Sequence, residues 1–205
     1  MLFEDIFLSL ASKGEGEFRD RGSRFIGIAF PVTTEREVKE LLQDVKKSHP
    51  QANHHCYAFR LGADGLAQRS SDDREPSGSA GKPILGALLS KEITNSLVVV
   101  VRYFGGTLLG VPGLINAYRN SAIIAIEQAG IQEQVVVEKF ILEFSQETSG
   151  AVHQLLRQFD ARILDQAYDS TCIIRFSIRR SRSTELLNKW QQHPTLGFKT
   201  LLKHD

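Results

Sequence analysis

Residues 97–118 read LVVVVRYFGGTLLGVPGLINAY, and the order of residue types in this stretch decides how the chain folds. The apolar run Leu97 to Val101 does not alternate between core and solvent, so it predicts a central strand buried on both faces. Arg102, Tyr103 and the pair Gly105-Gly106 end that strand in a glycine-rich loop, where glycine signals close backbone approach or a positive φ. A long helix from Leu114 to Ala129 follows, stopped by Gly130. On this reading Arg102 and Tyr103 project where loops converge, and Tyr118 and Arg119 lie about one turn into the helix.

The same logic extends upstream. Ser23 to Val32 is apolar, β-branched and aromatic, which predicts a strand; Gly14 to Phe18 supplies a partner across the turn Asp20-Arg21-Gly22. Thr34 and Glu37 form a capping-box pair, with Val38, Leu41, Leu42 and Val45 at helical spacing behind them and Pro50 closing the helix. His54 to Arg60 reads as a strand, turning through Gly62-Ala63-Asp64-Gly65 into a short return strand ending at Ser70. SSDDREPSGSAGKP, from Ser70 to Pro83, is dense in Ser, Gly, Asp and Pro and predicts a loop; Pro83 fits the first turn of the helix after it.

Downstream, strands are expected over Val135 to Phe144, Arg162 to Tyr168, Thr171 to Ile178 and Phe198 to Lys203, with helices over Ser149 to Phe159 and Thr184 to Gln192. That order is βαββαβ, the split-βαβ ferredoxin-like motif. Ile174, Phe176 and Ile178 alternate with Arg175, Ser177 and Arg179, so one sheet face is apolar and helix-covered. The fold class is α+β in two domains, residues 1–133 and 134–205, with the junction at Gln132 to Gln134.

Composition narrows the chemistry. With 205 residues, 41% hydrophobic and 24% charged, the chain sits in the ordinary globular range. Two cysteines, Cys56 and Cys172, are too few for a disulfide framework and match no zinc-ligand spacing. Glu4 and Asp5 stand where a signal peptide needs positive charge, and no apolar run is long enough to span a membrane. A cytoplasmic protein with no membrane partner is expected. The net charge of +1 is nearly balanced on both sides of Glu133, so any nucleic-acid binding rests on a local patch rather than bulk charge.

The segment from Ser70 to Tyr118 is the expected working surface, suited to binding rather than catalysis. GSAGKP resembles a P-loop, yet Pro76 occupies the first glycine position of GxxxxGK[ST] and Pro83 replaces the metal-binding hydroxyl. What survives is a helix N-terminus behind small residues with Lys82 beside it, where an anion could sit, or an ordinary glycine-rich connection. Asp72, Asp73 and Glu75 either hold a cation or pair with Arg69, Arg74 and Lys82; the pairing is expected, with no metal and no cofactor. His54 and His55 point to opposite faces of a strand and suit a histidine bonded to a neighbouring loop better than a metal site. No catalytic residue is expected. The candidates for nucleic-acid or anion binding are Arg24, His55, Arg74, Ser77, Gly78, Ser79, Gly81, Lys82, Arg102, Tyr103, Gly105, Gly106, Tyr118 and Arg119. Here Arg and Tyr beside glycine loops stack on bases and pair with phosphates, or brace the loops against each other. Arg175, Arg179, Arg180 and Arg182 form a secondary basic patch.

SDDREPSGSAGKPIL and VVVVRYFGGTLLGVPGLINAY, with SRFIG and HHCYAFR upstream, closely resemble the IMPACT family, specifically its bacterial two-domain YigZ-like members. The resemblance implies an N-terminal domain folded like the second domain of a small-subunit ribosomal protein, as in domain IV of elongation factor G. It implies a C-terminal ferredoxin-like domain akin to another domain of that factor. The family's eukaryotic members regulate translation by interfering with activation of the general-control kinase. The expected function is therefore a non-enzymatic protein associated with RNA or the ribosome. The alternatives are an enzyme acting on a phosphorylated small molecule through the Asp72–Lys82 loop, or an adaptor for a protein partner in translation control. Arg74 and Pro112 stand where the family usually has glycine.

Overall fold

The computed structural model describes residues 5–169, 171–192 and 200–204. The chain divides into two compact units: Phe7–Gln134, and Asp5 and Ile6 together with the chain from Val135 onward.

The first unit is built on a five-stranded antiparallel sheet of order β2-β3-β6-β4-β5, comprising β2 (Gly14–Asp20), β3 (Ser23–Pro31), β6 (Ser96–Tyr103), β4 (His54–Leu61) and β5 (Ala67–Ser71). The apolar run lands at the centre: Leu97 to Val101 is buried throughout. Val98 and Val100 face the core under α2 (Gly81–Ser90) and α3 (Gly110–Ala129), while Leu97, Val99 and Val101 face the core under α1 (Glu35–Ser48). Helix α1 starts with the expected reciprocal cap: Thr34 Oγ1 accepts from the Glu37 N–H, and the Glu37 carboxylate accepts from the Thr34 N–H. Arg21 and Gly22, both at positive φ, make the two-residue turn between β2 and β3. At Gly27 a side chain would collide with the backbone of Ser121, so glycine lets α3 lie directly on the sheet.

Helix α3 starts at Gly110, four residues before the expected Leu114, because Pro112 is preset for helical φ in a first turn that needs no N–H. The strand expected over Val135 to Phe144 is two strands, β7 (Ile131–Val135) and β8 (Val137–Phe144), interrupted at Val136. β7 pairs with β1 (Ile6–Leu10), a strand the sequence pattern did not reveal.

The second unit has the element order βαββαβ: β8, α4 (Ser149–Gln158), β9 (Arg162–Tyr168), β10 (Cys172–Arg179), α5 (Arg180–Gln191) and β11 (Thr200–His204), with sheet order β11-β8-β10-β9. Residues 198 and 199 of the expected last strand lie outside the described residues. Phe140, Leu142, Ile174, Phe176, Leu186 and Trp190 share one core. Helix α5 begins at Arg180 rather than Thr184, because the Asp5 carboxylate accepts the Ser181 N–H (2.9 Å) and so caps its first turn from a distant part of the chain.

Candidate functional site

The loop from β5 to α2 and the end of β6 meet around one buried carboxylate. Glu75 accepts a hydrogen bond from Arg102 Nη1 at 2.6 Å and from the Tyr118 hydroxyl at 2.7 Å, both on the same oxygen, Oε1. His54 Nε2 stands 3.7 Å from that oxygen. The side chains of Glu75 and Arg102 are 4% and 7% exposed, and Tyr118 is fully buried. The Arg102 guanidinium lies over the rings of Phe25 and Phe104, and its Nε has no hydrogen-bond partner among the described residues. Tyr118 also meets Phe25 edge to face and Cys56 Sγ at 3.4 Å. Burial pushes the Cys56 thiol up to about 12 and pushes the Tyr118 phenol up as well, so both stay protonated. Of the two roles expected for Arg102 and Tyr118, contact with a ligand or bracing of the loops, their burial on Glu75 fits the bracing. The reason is parity: Arg102 shares a sheet face with buried Val98 and Val100, and Tyr118 shares a helix face with buried Leu114 and Ala122.

Asp72 occupies the start of α2. Its Oδ1 accepts from the N–H groups of Ala80 (3.0 Å) and Gly81 (2.8 Å), and its Oδ2 from Gly78 (2.9 Å). The residue at the N-cap position, Ala80, has no side chain to do this, so a carboxylate eight residues upstream serves instead. Burial alone would raise the Asp72 pKa, but these three N–H groups and nearby Lys82 hold it below the usual carboxylate value. The anion site expected at Gly78, Gly81 and Lys82 is thus already filled by the protein's own carboxylate. Ser79 is buried, donating to the Pro76 carbonyl, and Ser77 is exposed.

Asp73 ties the loop to β4. Its Oδ2 accepts the His55 N–H at 2.7 Å, and its carbonyl meets His54 Nδ1 at 2.8 Å. The His55 ring reaches the His49 carbonyl at 3.1 Å; burial lowers its pKa, against the raising effect of that bond. Tyr103, half-buried, meets His49 Nδ1 through its hydroxyl at 2.9 Å. Asp73 and Arg74 both have positive φ, and Arg74 reaches the Asn53 carbonyl at 3.3 Å from an exposed position. Of the expected acid partners, Lys82 and Arg74 lie beside Asp72 and Asp73, whereas Arg69 makes no ion pair among the described residues and Arg102 is the partner of Glu75. At Gly105 a side chain would run into the Gly22 backbone, while Gly106, at positive φ, has open space.

Several cations remain at the surface. Lys82 and Arg119 are exposed and make no hydrogen bond or ion pair among the described residues. Arg24 is engaged: it lies 2.6 Å from Glu17, and with Arg19, the larger influence, it holds that carboxyl below its usual value. The secondary basic patch is largely neutralised, with Arg175 on Asp165 (2.8 Å), Arg182 on Asp160 (2.7 Å) and Arg180 3.9 Å from Glu138; Arg179 is exposed. Among the described residues, no group of three or more His, Cys, Asp or Glu is arranged to hold a metal, and no helix is long and apolar enough to cross a membrane. The pattern missed two features: Asp72 as a cap, signalled by a helix start with only alanine before it, and an exposed aliphatic group at Leu108, Val111 and Ile115.

The family model described as the Impact N-terminal domain matches residues 21–126. The chain is 30% identical over 191 residues to "IMPACT family member YvyE" of Bacillus subtilis, covering 93% of this chain and 88% of that protein. It is 32% identical over 169 residues to "IMPACT family member YigZ" of Escherichia coli, covering 82% and 83%. Among solved structures, a crystal structure of a hypothetical protein superposes with a TM-score of 0.72 at 29% identity, covering 99% of both chains.

Proposed function

The chain belongs to the IMPACT family, and on that premise we propose that it is a non-enzymatic regulator of translation that associates with RNA or the ribosome in the cytoplasm. One observation carries this reading. The three carboxylates of the glycine-rich loop are engaged within the protein, Asp72 by α2, Asp73 by β4 and Glu75 by Arg102 and Tyr118, while Lys82 stays exposed with no ion pair among the described residues and Arg74 stays exposed 3.9 Å from the Asp73 carboxylate. The loop therefore presents cations outward, the polarity a phosphate backbone selects. Two parts of the reading rest on family resemblance: the likeness of the N-terminal domain, residues 1–133, to domain IV of elongation factor G, and the ferredoxin-like character of residues 134–205.

An enzyme acting on a phosphorylated small molecule would need Asp72 to leave the α2 terminus, and nothing in the geometry favours that. The test is binding of the full chain to ribosomal RNA over a salt series. Affinity falls steeply with salt, and Lys82→Ala weakens binding and reduces the salt slope by about one charge. Absence of binding at low salt, or an affinity indifferent to salt, overturns the proposal.

A further inference from the structure

The start of α3 exposes aliphatic surface that the internal architecture does not use. Leu108 is 81% exposed, Val111 47% and Ile115 39%. Leu108 precedes the helix, while Val111 and Ile115 are four residues apart and so stand on one side of it. Arg119 lies one turn further along that side, exposed and without an ion pair among the described residues. From Tyr103 to Ile126 the sequence contains no carboxylate. Among the described residues no side chain accepts from the first-turn N–H groups of α3, to which Pro112 contributes none, in contrast with α2, whose first turn is filled by Asp72. This face therefore combines aliphatic side chains, a cation and the positive end of a helix dipole, with no acid among them.

We propose that the face formed by Leu108, Val111, Ile115 and Arg119 docks an acidic amphipathic helix of a partner protein. Its aliphatic side chains cover Leu108, Val111 and Ile115, and its carboxylates meet Arg119 and the uncapped end of α3. Charge complementarity selects an acidic partner, and surface area selects a short segment. The three aliphatic side chains offer roughly 300 Å² at on the order of 150–200 Å² per large side chain. A stable dimer of globular subunits needs about 800 Å² per partner, more than this face supplies. RNA has no aliphatic surface with which to cover Leu108, so this inference is separate from the proposal for Lys82.

The experiment is fluorescence anisotropy of the full chain with a synthetic helical peptide whose leucine stripe is flanked by glutamates, beside the same peptide carrying lysine in place of glutamate. The glutamate peptide binds and weakens with salt, while the lysine peptide binds at least about tenfold more weakly. Leu108→Ser and Val111→Ser, at positions exposed enough to leave the fold intact, each weaken the glutamate peptide about tenfold. Lys82→Ala leaves it unchanged, which keeps this test independent of the RNA reading. No binding of the glutamate peptide, equal binding of both peptides, or indifference to Leu108→Ser overturns the proposal. So does a dimer that Leu108→Ser abolishes, which gives the face to a second copy. Flotation with phosphatidylcholine–phosphatidylglycerol vesicles that Leu108→Ser abolishes gives it to lipid and equally overturns it.

Discussion

Glu75→Gln removes one negative charge from the centre of the loop cluster while keeping the side chain's size and one carbonyl oxygen. Glu75 and Arg102 are 4% and 7% exposed and 2.6 Å apart, so the substitution leaves a guanidinium buried without its counter-ion. Breaking a buried pair by removing one partner costs roughly 3–5 kcal/mol. Tyr118 and one Arg102 N–H can still bond to the amide oxygen, which places the expected loss near the lower end, about 3 kcal/mol. For a folding unit of this size each kcal/mol moves the melting temperature by about 3–5 °C, so a fall of about 10–15 °C is expected. Thermal and urea melts of the full chain measure it. A double-mutant cycle with Arg102→Met isolates the pair: the doubly substituted chain recovers much of the loss, because neither charge is then stranded. A loss below about 1 kcal/mol is what a solvated surface pair gives. It would mean that Arg102 is a surface cation after all, refuting the assignment of Arg102 and Tyr118 to internal bracing.

Three further outcomes follow from single residues. Arg74 sits at φ 73°, and relief of about 1–2 kcal/mol of left-handed strain, less about 0.4–1 returned by glycine's freedom in the unfolded chain, makes Arg74→Gly stabilising by about 0.5–1 kcal/mol; a lower melting temperature in that variant contradicts it. Burial lowers the His55 pKa, so the unfolded chain takes up the proton first: stability is full above the ordinary histidine value and is lost as pH falls toward the folded one. Melting temperature should begin to drop as pH falls through about 6.5, and less so in His55→Gln. Cys56 and Cys172 are buried, with the Cys56 thiol pushed up to about 12, so thiol titration finds almost no reactive sulfur in the native chain and both cysteines after denaturation.

What the sequence made legible was local. Thr34 and Glu37 sit three residues apart and cap α1 as their spacing implies, and the unbroken apolar run at Leu97 to Val101 is the doubly buried strand its pattern predicts. What it hid depended on residues far apart in the chain. Strand β1 is a short run that finds its partner β7 more than a hundred residues later, and Asp5 caps α5 from the opposite end of the sequence. Within the site, Arg and Tyr beside glycines left two roles open, contact with a ligand or bracing of the loops. Strand and helix periodicity, applied to Arg102 with Val98 and Val100, and to Tyr118 with Leu114 and Ala122, would have put both side chains inside. Asp72 was readable as an acid in a loop, but its role as the α2 cap needed the loop's path, which two residues at positive φ, Asp73 and Arg74, bend back onto the helix.

Sedimentation of the full chain with ribosomes, with and without nuclease, tests the proposed function most directly. Association at low salt that is lost both on nuclease treatment and at high salt is the predicted result. A chain that stays at the top of the gradient at low salt, or that sediments indifferently to nuclease and salt, contradicts it.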